Sequence, residues 1–213
     1  AGVFFARTLN FEGKFNITEI SHQEGHILSG WNEDLLIFPY FYTLHISGGT
    51  TELLKVKLSN ERIVSEIVNA TLDISFGQLI DRVGNYMGFD FPSGKEVDSI
   101  SKNYIKTNYR ISSREDGFNL SGIENKLKED FDTFKSQQQT SEKMLSYITD
   151  VIQSILINYT DDAPVLIVGG VGESKLIRKH LKYSPIYYAK NGYSSDNAVG
   201  LSKYPTIMEK LCN

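Results

Sequence analysis

Residues 35–58, LLIFPYFYTLHISGGTTELLKVKL, contain the pattern that decides the fold. Aromatic and β-branched residues dominate Leu35 to Ile46, which favours a β-strand, and Glu52 to Leu58 shows the alternation of a second strand. Between them stands Ser47-Gly48-Gly49-Thr50-Thr51. The sequence therefore predicts a hairpin with a glycine-rich tip.

This tip differs in its setting from the best-known phosphate loops. A Walker A loop or a Rossmann turn joins a strand to a helix, and neither consensus is present here. Glycine permits positive φ angles and lets backbone N–H groups approach a phosphate closely. A strand–Gly-Gly–strand loop holds nucleotide phosphates in actin and the sugar kinases. The alternative interpretation is an ordinary tight hairpin.

A second glycine turn lies near the other end of the chain, in residues 165–171, VLIVGGV. Here a short apolar strand leads into a helix, as in the adenosine-side turn of actin and the sugar kinases, where a helix N-terminus faces the nucleotide. An ordinary strand–helix turn is the alternative. The two turns are about 120 residues apart, and their order favours the nucleotide cleft of the ASKHA fold, the fold of actin and the sugar kinases.

The spacing of apolar residues predicts both strands and helices in the rest of the chain. Strands are predicted over 63–70, 164–168 and 186–189, and helices over 1–11, 22–31, 75–87, 95–102, 140–159 and 197–203, with others opening at Ser121 and after Gly172 and a last one ending near Leu211. The expected fold class is α/β, with a mixed sheet and flanking helices.

Composition narrows the class of function. The chain has 213 residues with 22 basic and 26 acidic side chains, a net charge of −4. This balance argues against DNA or broad nucleic-acid binding, but it leaves room for a local basic patch that meets one RNA. A single cysteine, Cys212, permits no disulfide within the chain. No apolar run approaches the roughly 18 residues of a membrane span, so we expect a cytoplasmic protein without a membrane partner.

The segment His22-Gln23-Glu24-Gly25-His26 places two imidazoles at positions i and i+4 of a predicted helix. Both then face the same side and can share one metal ion. The zinc-protease pattern needs Glu directly after the first His. Glu24 comes two residues later, about 200° around the helix, so we exclude a zinc protease. Two ordinary surface histidines are the alternative.

A metal site needs a third ligand, and Asp196 is the best candidate in the sequence. It stands at the start of a predicted helix, so an N-cap is the alternative role for it. His45 lies within a predicted strand, and we expect it to be a packed core histidine.

Six motifs along the chain resemble, in the same order, those of the TsaD family, whose members are also labelled Gcp or glycoprotease-like. They are His22–His26, Ser47–Thr51, Asp73–Gly94, Phe118–Ile123, Gly169–Ser174 and Ser195–Ala198. The family counterparts include the loop Ser-Gly-Gly-His-Thr and the motif Thr-Asp-Asn-Ala. The sequences of the motifs are most similar to those of a divergent branch of the family found in Firmicutes.

The resemblance implies one divalent metal ion, iron or zinc, and an ATP- or AMP-type nucleotide or threonylcarbamoyl-AMP. The implied metal ligands are His22, His26 and Asp196. The implied nucleotide or substrate residues are Ile46, Ser47, Gly48, Gly49, Thr50, Asp81, Gly94, Gly169, Gly170 and Ser174. In this interpretation the loop's N–H groups hold phosphate or carbamoyl oxygens, Asp81 binds the ribose, and Ser174 takes the place of an Asn that contacts adenosine.

The activity implied is transfer of threonylcarbamoyl from threonylcarbamoyl-AMP to N6 of adenosine 37 in tRNA, with the metal polarising the carbonyl. The implied partners are tRNA and TsaB-like and TsaE-like proteins. Two other functions stay open: a non-catalytic paralogue or assembly subunit, and another ASKHA ATPase or kinase. A kinase would hold Mg²⁺ with carboxylates and phosphate and would need no histidine site.

The sequence departs from the family pattern at two site positions. Thr50 stands where the family has His, and Ser174 where it has Asn. The family also carries a further N-terminal lobe, so we expect residues 1–20 to be the tail of that lobe. Residues 21–195 would form the second lobe with the metal and nucleotide motifs, and residues 196–213 a C-terminal helix that returns to the first lobe.

Overall fold

The structure is a computed structural model that describes residues 2–14, 17–59, 62–114, 117–189 and 197–212. The helices in these ranges are α1 (Gly2–Leu9), α2 (His22–Ser29), α3 (Phe76–Tyr86), α4 (Gly94–Ile100), α5 (Ser121–Phe134), α6 (Gln137–Tyr159), α7 (Lys175–His180) and α8 (Asn197–Cys212). The strands are β1 (Tyr40–Ile46), β2 (Thr51–Leu58), β3 (Ile63–Ala70), β4 (Ser112–Arg114), β5 (Gly117–Asn119), β6 (Val165–Val168) and β7 (Ile186–Tyr188). Two short 3₁₀ helices cover Glu33–Ile37 and Gly170–Glu173.

Five strands form one mixed sheet in the order β3-β2-β1-β6-β7. The pairs β1–β2 and β2–β3 are antiparallel, whereas β1–β6 and β6–β7 are parallel. The predicted hairpin is confirmed: the Ser47 N–H donates to the Thr50 carbonyl at 2.8 Å, which leaves Gly48 and Gly49 at the tip. Strands β4 and β5 form a separate two-stranded ribbon.

Helices cover both faces of the sheet, and each face has its own apolar core. Since side chains alternate along a strand, Leu44 and Ile46 of β1 pack with residues of α3, α5 and α6. On the other face, Phe41 packs with residues of α2 and α8. Helix α8 lies very close to α2, because a Cβ added at Gly200 would come within 1.9 Å of the Gly25 carbonyl oxygen. The predicted α/β class is confirmed.

The predicted start of the first strand is wrong. The strand predicted from Leu35 begins only at Tyr40, because Glu33–Ile37 forms a 3₁₀ helix whose start is capped by the Asn32 side chain. Pro39 then separates helix from strand, where its missing N–H removes no ladder bond.

No helix in the ranges that the structure covers is long and apolar enough to cross a membrane.

The C-terminal region forms one helix, α8, where two were predicted. Pro205 lies inside it. Contacts on both sides of the proline hold the helix together: the Lys203 ammonium donates to the Ser29 carbonyl at 2.9 Å, and Ile207 is buried in the core against α2.

Candidate functional site

The two glycine turns lie side by side at one edge of the sheet. Strands β1 and β6 are parallel neighbours with His45 opposite Val168, so their carboxyl ends meet. Gly169 has φ +95°, and a Cβ there would stand 2.2 Å from the Ile46 carbonyl oxygen. Only glycine fits both this backbone conformation and this close approach. The structure thus brings together the turns that the sequence predicted to share a cleft.

The base of the first turn is fixed to the N-terminus of α3. The Ser75 hydroxyl caps this helix and donates to the Gly48 carbonyl at 2.7 Å, and the Phe76 N–H donates to the Thr51 hydroxyl at 2.9 Å. A Cβ at Gly77 would come within 2.5 Å of the Gly48 Cα. No side chain at Gly77 could therefore be accommodated without displacing the loop.

The outer side of the same turn is open. A Cβ added at Gly48 or Gly49 would meet no atom within 4 Å. The Thr50 N–H is already engaged, since it donates to the Ser47 hydroxyl at 3.1 Å. The turn therefore presents a free surface at its glycines and an occupied donor at Thr50.

Asp81 and Gly94, thirteen positions apart in sequence, adjoin in space. The half-buried Asp81 carboxylate accepts the Ser93 N–H at 2.8 Å, next to the first residue of α4. A Cβ added at Gly94 would face open space. This arrangement puts a carboxylate beside an accessible backbone.

Ser174 does not present a free hydroxyl. It caps α7 by accepting the Ile177 N–H, and it donates to the Asp98 carboxylate at 2.5 Å. The other Asp98 oxygen accepts the Lys175 N–H at 3.2 Å. Asp98 is not among the site residues predicted from the sequence. The available signal was its spacing, since Asp98 follows Gly94 by one helical turn and both lie on one side of α4.

The histidine pair on α2 has the predicted geometry. The Nε2 atoms of His22 and His26 are 3.2 Å apart, and the rings are nearly perpendicular with centroids 4.6 Å apart. Two nitrogens bound to one tetrahedral zinc at about 2.0–2.1 Å would be separated by about 3.3 Å, so the pair fits a shared ion. Without metal, the same separation holds a hydrogen bond whose donor depends on the tautomer.

The third predicted ligand, Asp196, lies outside the residues that the structure describes. Within the described ranges, no group of three or more His, Cys, Asp or Glu side chains could hold a metal ion. Glu24 is engaged elsewhere: its carboxylate accepts the Ser21 N–H at 2.6 Å in a capping box and lies 3.7 Å from Arg62. The three-ligand site therefore stays a prediction.

His45 is buried in the core, as predicted, with 2% of its surface exposed. Its ring also lies against that of His26, with centroids 4.4 Å apart. Because His45 immediately precedes Ile46, this contact places the histidine pair next to the start of the first glycine turn. No local sequence pattern indicates this contact, since it depends on where α2 crosses β1.

Comparison with known proteins identifies a family. The sequence profile of TsaD, tRNA N6-adenosine threonylcarbamoyltransferase, matches residues 1–203. The tRNA N6-adenosine threonylcarbamoyltransferase of Malacoplasma penetrans is 30% identical over 95% of this chain and 70% of its own length. That of Neorickettsia sennetsu is 30% identical over 89% of this chain and 59% of its own. The chain thus spans roughly three fifths to seven tenths of these relatives.

Among solved structures, full-length HypF in its phosphate- and nucleotide-bound form superposes with a TM-score of 0.68. The alignment has 14% identity and covers 96% of this chain and 38% of that one. At this identity the likeness concerns the fold alone. It confirms the predicted ASKHA architecture.

Proposed function

Because the chain belongs to the TsaD family, we propose that it serves transfer of threonylcarbamoyl from threonylcarbamoyl-AMP to N6 of adenosine 37 in tRNA. The observation that carries the proposal is the contact between His26 and His45, whose ring centroids are 4.4 Å apart. Through it the histidine pair adjoins the glycine turn that starts at Ile46. A metal-binding pair and a phosphate-binding turn are thus close enough to serve one substrate.

The nucleotide would lie across the sheet edge formed by the two turns. Within Ile46–Thr50, the backbone N–H groups of Gly48 and Gly49 would hold phosphate or carbamoyl oxygens, since those of Ser47 and Thr50 already have partners. Asp81, with Gly94 beside it, would accept hydrogen bonds from the ribose hydroxyls. Gly169 and Gly170 would let the adenosine approach the backbone, near Ser174 and Asp98.

The histidines would hold iron or zinc together with Asp196. Such an ion supplies Lewis-acid polarisation of the carbamoyl carbonyl. The chain's own contribution is positional: the glycine turn orients the carbamoyl carbon towards the N6 amine and keeps the leaving AMP in place. In the transfer the bond from N6 to the carbamoyl carbon would form, the bond from that carbon to the AMP phosphate oxygen would break, and the N6 proton would pass to solvent.

A second candidate, a non-catalytic paralogue or assembly subunit, is favoured by one feature of the site. The Thr50 N–H and the Ser174 hydroxyl both have partners within the protein. These are the two positions where the family has His and Asn. Substrate would have to displace those internal hydrogen bonds, which weakens its net binding.

The partners proposed are tRNA and, from the family, TsaB-like and TsaE-like proteins, and the proposed location is the cytoplasm. The net charge of −4 restricts the RNA contact to a local patch.

The test is a transfer assay with the intact protein, zinc or iron, labelled threonylcarbamoyl-AMP and tRNA that lacks the modification. We expect label in tRNA, and its loss in the His22→Ala/His26→Ala double variant. A protein that binds zinc and AMP but transfers no label would favour the non-catalytic candidate. ATP turnover with Mg²⁺ that is unchanged in the double variant would favour a kinase or ATPase.

A further inference from the structure

A third imidazole lies behind the histidine pair, on the side of the sheet that faces α2. The His45 ring is tilted 41° to that of His26, with the centroids 4.4 Å apart. Within the described residues, neither ring nitrogen of His45 has a hydrogen-bond partner. A buried imidazole without such a partner costs stability, so packing alone does not account for this residue.

Glu52 stands behind His45. The two residues are directly opposite in the antiparallel pair β1–β2, so their side chains lie on the same face. The Glu52 Oε1 atom is 3.5 Å from the His45 Nδ1 atom, and the Glu52 side chain is only 11% exposed. A carboxylate and an imidazole thus occupy a face whose other β1 and β2 members include Phe41 and Leu54.

The groups follow one another in the order His22, His26, His45 and Glu52, and their exposure falls from His22 to His45. His22 is exposed, His26 is 8% exposed and His45 is 2% exposed. In metal sites, ligating histidines are held by outer groups that fix the ring and place negative charge behind it. The arrangement of His45 and Glu52 behind His26 has both properties.

We propose that His45 and Glu52 form an outer layer of the metal site, with His45 as a positioning residue for His26. The His45 ring fixes the plane of the His26 ring by contact. The Glu52 carboxylate stabilises the positive charge that develops on the imidazoles when His26 Nε2 binds a cation. This inference rests on the metal site of the proposed function, and it names the residues that set its affinity.

The experiment uses the intact protein with Zn²⁺ alone, its affinity measured at one pH by competition with a chromogenic chelator. We expect His45→Leu and Glu52→Gln each to raise the Zn²⁺ dissociation constant about 10- to 100-fold. His45→Gln, which keeps a polar group of similar reach, should recover part of the loss. The absorption bands of bound Co²⁺ should shift in His45→Leu, because the His26 ring changes orientation.

Thr43→Val is the matched control. Thr43 lies two residues before His45 on the same face of β1, is fully buried, and has a hydroxyl without a partner in the described residues. Its replacement by an isosteric apolar side chain should leave the Zn²⁺ dissociation constant within about twofold. Thermal unfolding of the metal-free proteins checks that the His45 and Glu52 variants are folded.

Three outcomes separate the possibilities. Weaker binding in the His45 and Glu52 variants but not in Thr43→Val supports the inference. Wild-type affinity in both variants overturns it and leaves the proposed function intact. Absence of Zn²⁺ binding by the wild-type protein overturns the inference and removes the metal from the proposed function as well.

Discussion

The two faces of strand β1 are built on different principles. Towards α3, α5 and α6 it presents Tyr42, Leu44 and Ile46, which belong to the larger apolar core. Towards α2 it presents Phe41 and then two buried polar residues, Thr43 and His45, whose side chains have polar atoms without hydrogen-bond partners in the described residues. The first face is what stability alone would select, whereas the second sacrifices stability.

The difference indicates where function resides. One face of β1 is a conventional core, and the other brings imidazoles next to the residue that leads into the glycine turn. Both faces converge on the sheet edge where Ile46 meets Gly169. Substitutions at this edge and on each face should therefore have different consequences.

The largest effect is expected at the edge that both faces share. Gly169→Ala should lower the free energy of unfolding by about 4 kcal/mol, because it combines a positive φ with a clash against the Ile46 carbonyl. Gly170→Ala, where an added Cβ meets no atom within 4 Å, should change it by less than about 0.5 kcal/mol. Urea denaturation measures both, and equal losses would contradict the close approach.

Leu44 and His45 are neighbours in β1 that point to opposite faces, so substitutions at these two residues compare the faces directly. Leu44→Ala should cost about 3 kcal/mol, because it leaves a cavity in the apolar core. His45→Leu should change the free energy of unfolding of the metal-free protein by less than about 1 kcal/mol, because it removes a buried imidazole without a hydrogen-bond partner. If chemical denaturation shows the same loss for both, the α2 face is an ordinary core.

Asp73, in the loop between β3 and α3, carries a charge that makes stability depend on pH. Partial burial raises the pKa of Asp73, but the N–H groups of Leu120, Ser121 and Ile74 outweigh it and hold the pKa at about 2. A lowered pKa stabilises the folded state above about pH 3.8, and this contribution disappears as the pH falls towards 2. Because the side chain is exposed, we expect only about 1 kcal/mol.

The measurement is the free energy of unfolding between pH 5 and pH 2 for the wild type and Asp73→Asn. The variant should lose this part of the pH dependence, since its amide does not titrate in that range. A wild-type slope that the substitution leaves unchanged would show that other carboxylates are responsible.

The smallest change in stability is expected at Asp81. Asp81→Asn keeps an oxygen that can accept the Ser93 N–H, so unfolding should change by less than about 0.5 kcal/mol. AMP binding should weaken about tenfold, since a charge-assisted hydrogen bond to the ribose becomes a neutral one. Calorimetric titration of AMP tests this, and unchanged affinity would remove Asp81 from the nucleotide site.

The hairpin, the histidine helix and both glycine turns could be predicted because each depends on local sequence. The tip needs Gly48 and Gly49 between two alternating strands, and His22 and His26 need only helical spacing. The start of β1 was misplaced because the apolar run Leu35–Ile37 suits a 3₁₀ helix as well as a strand. Short apolar runs do not distinguish the two by periodicity.

Contacts between distant segments could not be predicted in this way. The approach of Asp98 to Ser174 depends on how α4 packs near the end of β6, and the contact of His45 with His26 depends on the crossing of α2 over β1. Neither contact produces a recognisable pattern in the local sequence. The third ligand, Asp196, lies outside the described residues and stays a prediction.

The central claim is that the histidine pair and the glycine turns serve one substrate. The most direct test is calorimetric binding of a hydrolysis-resistant threonylcarbamoyl-AMP analogue to the intact protein, with and without Zn²⁺. One shared site predicts tighter binding with Zn²⁺, by about 5- to 150-fold, and loss of that gain in His22→Ala/His26→Ala. Equal affinity with and without the metal would contradict the claim.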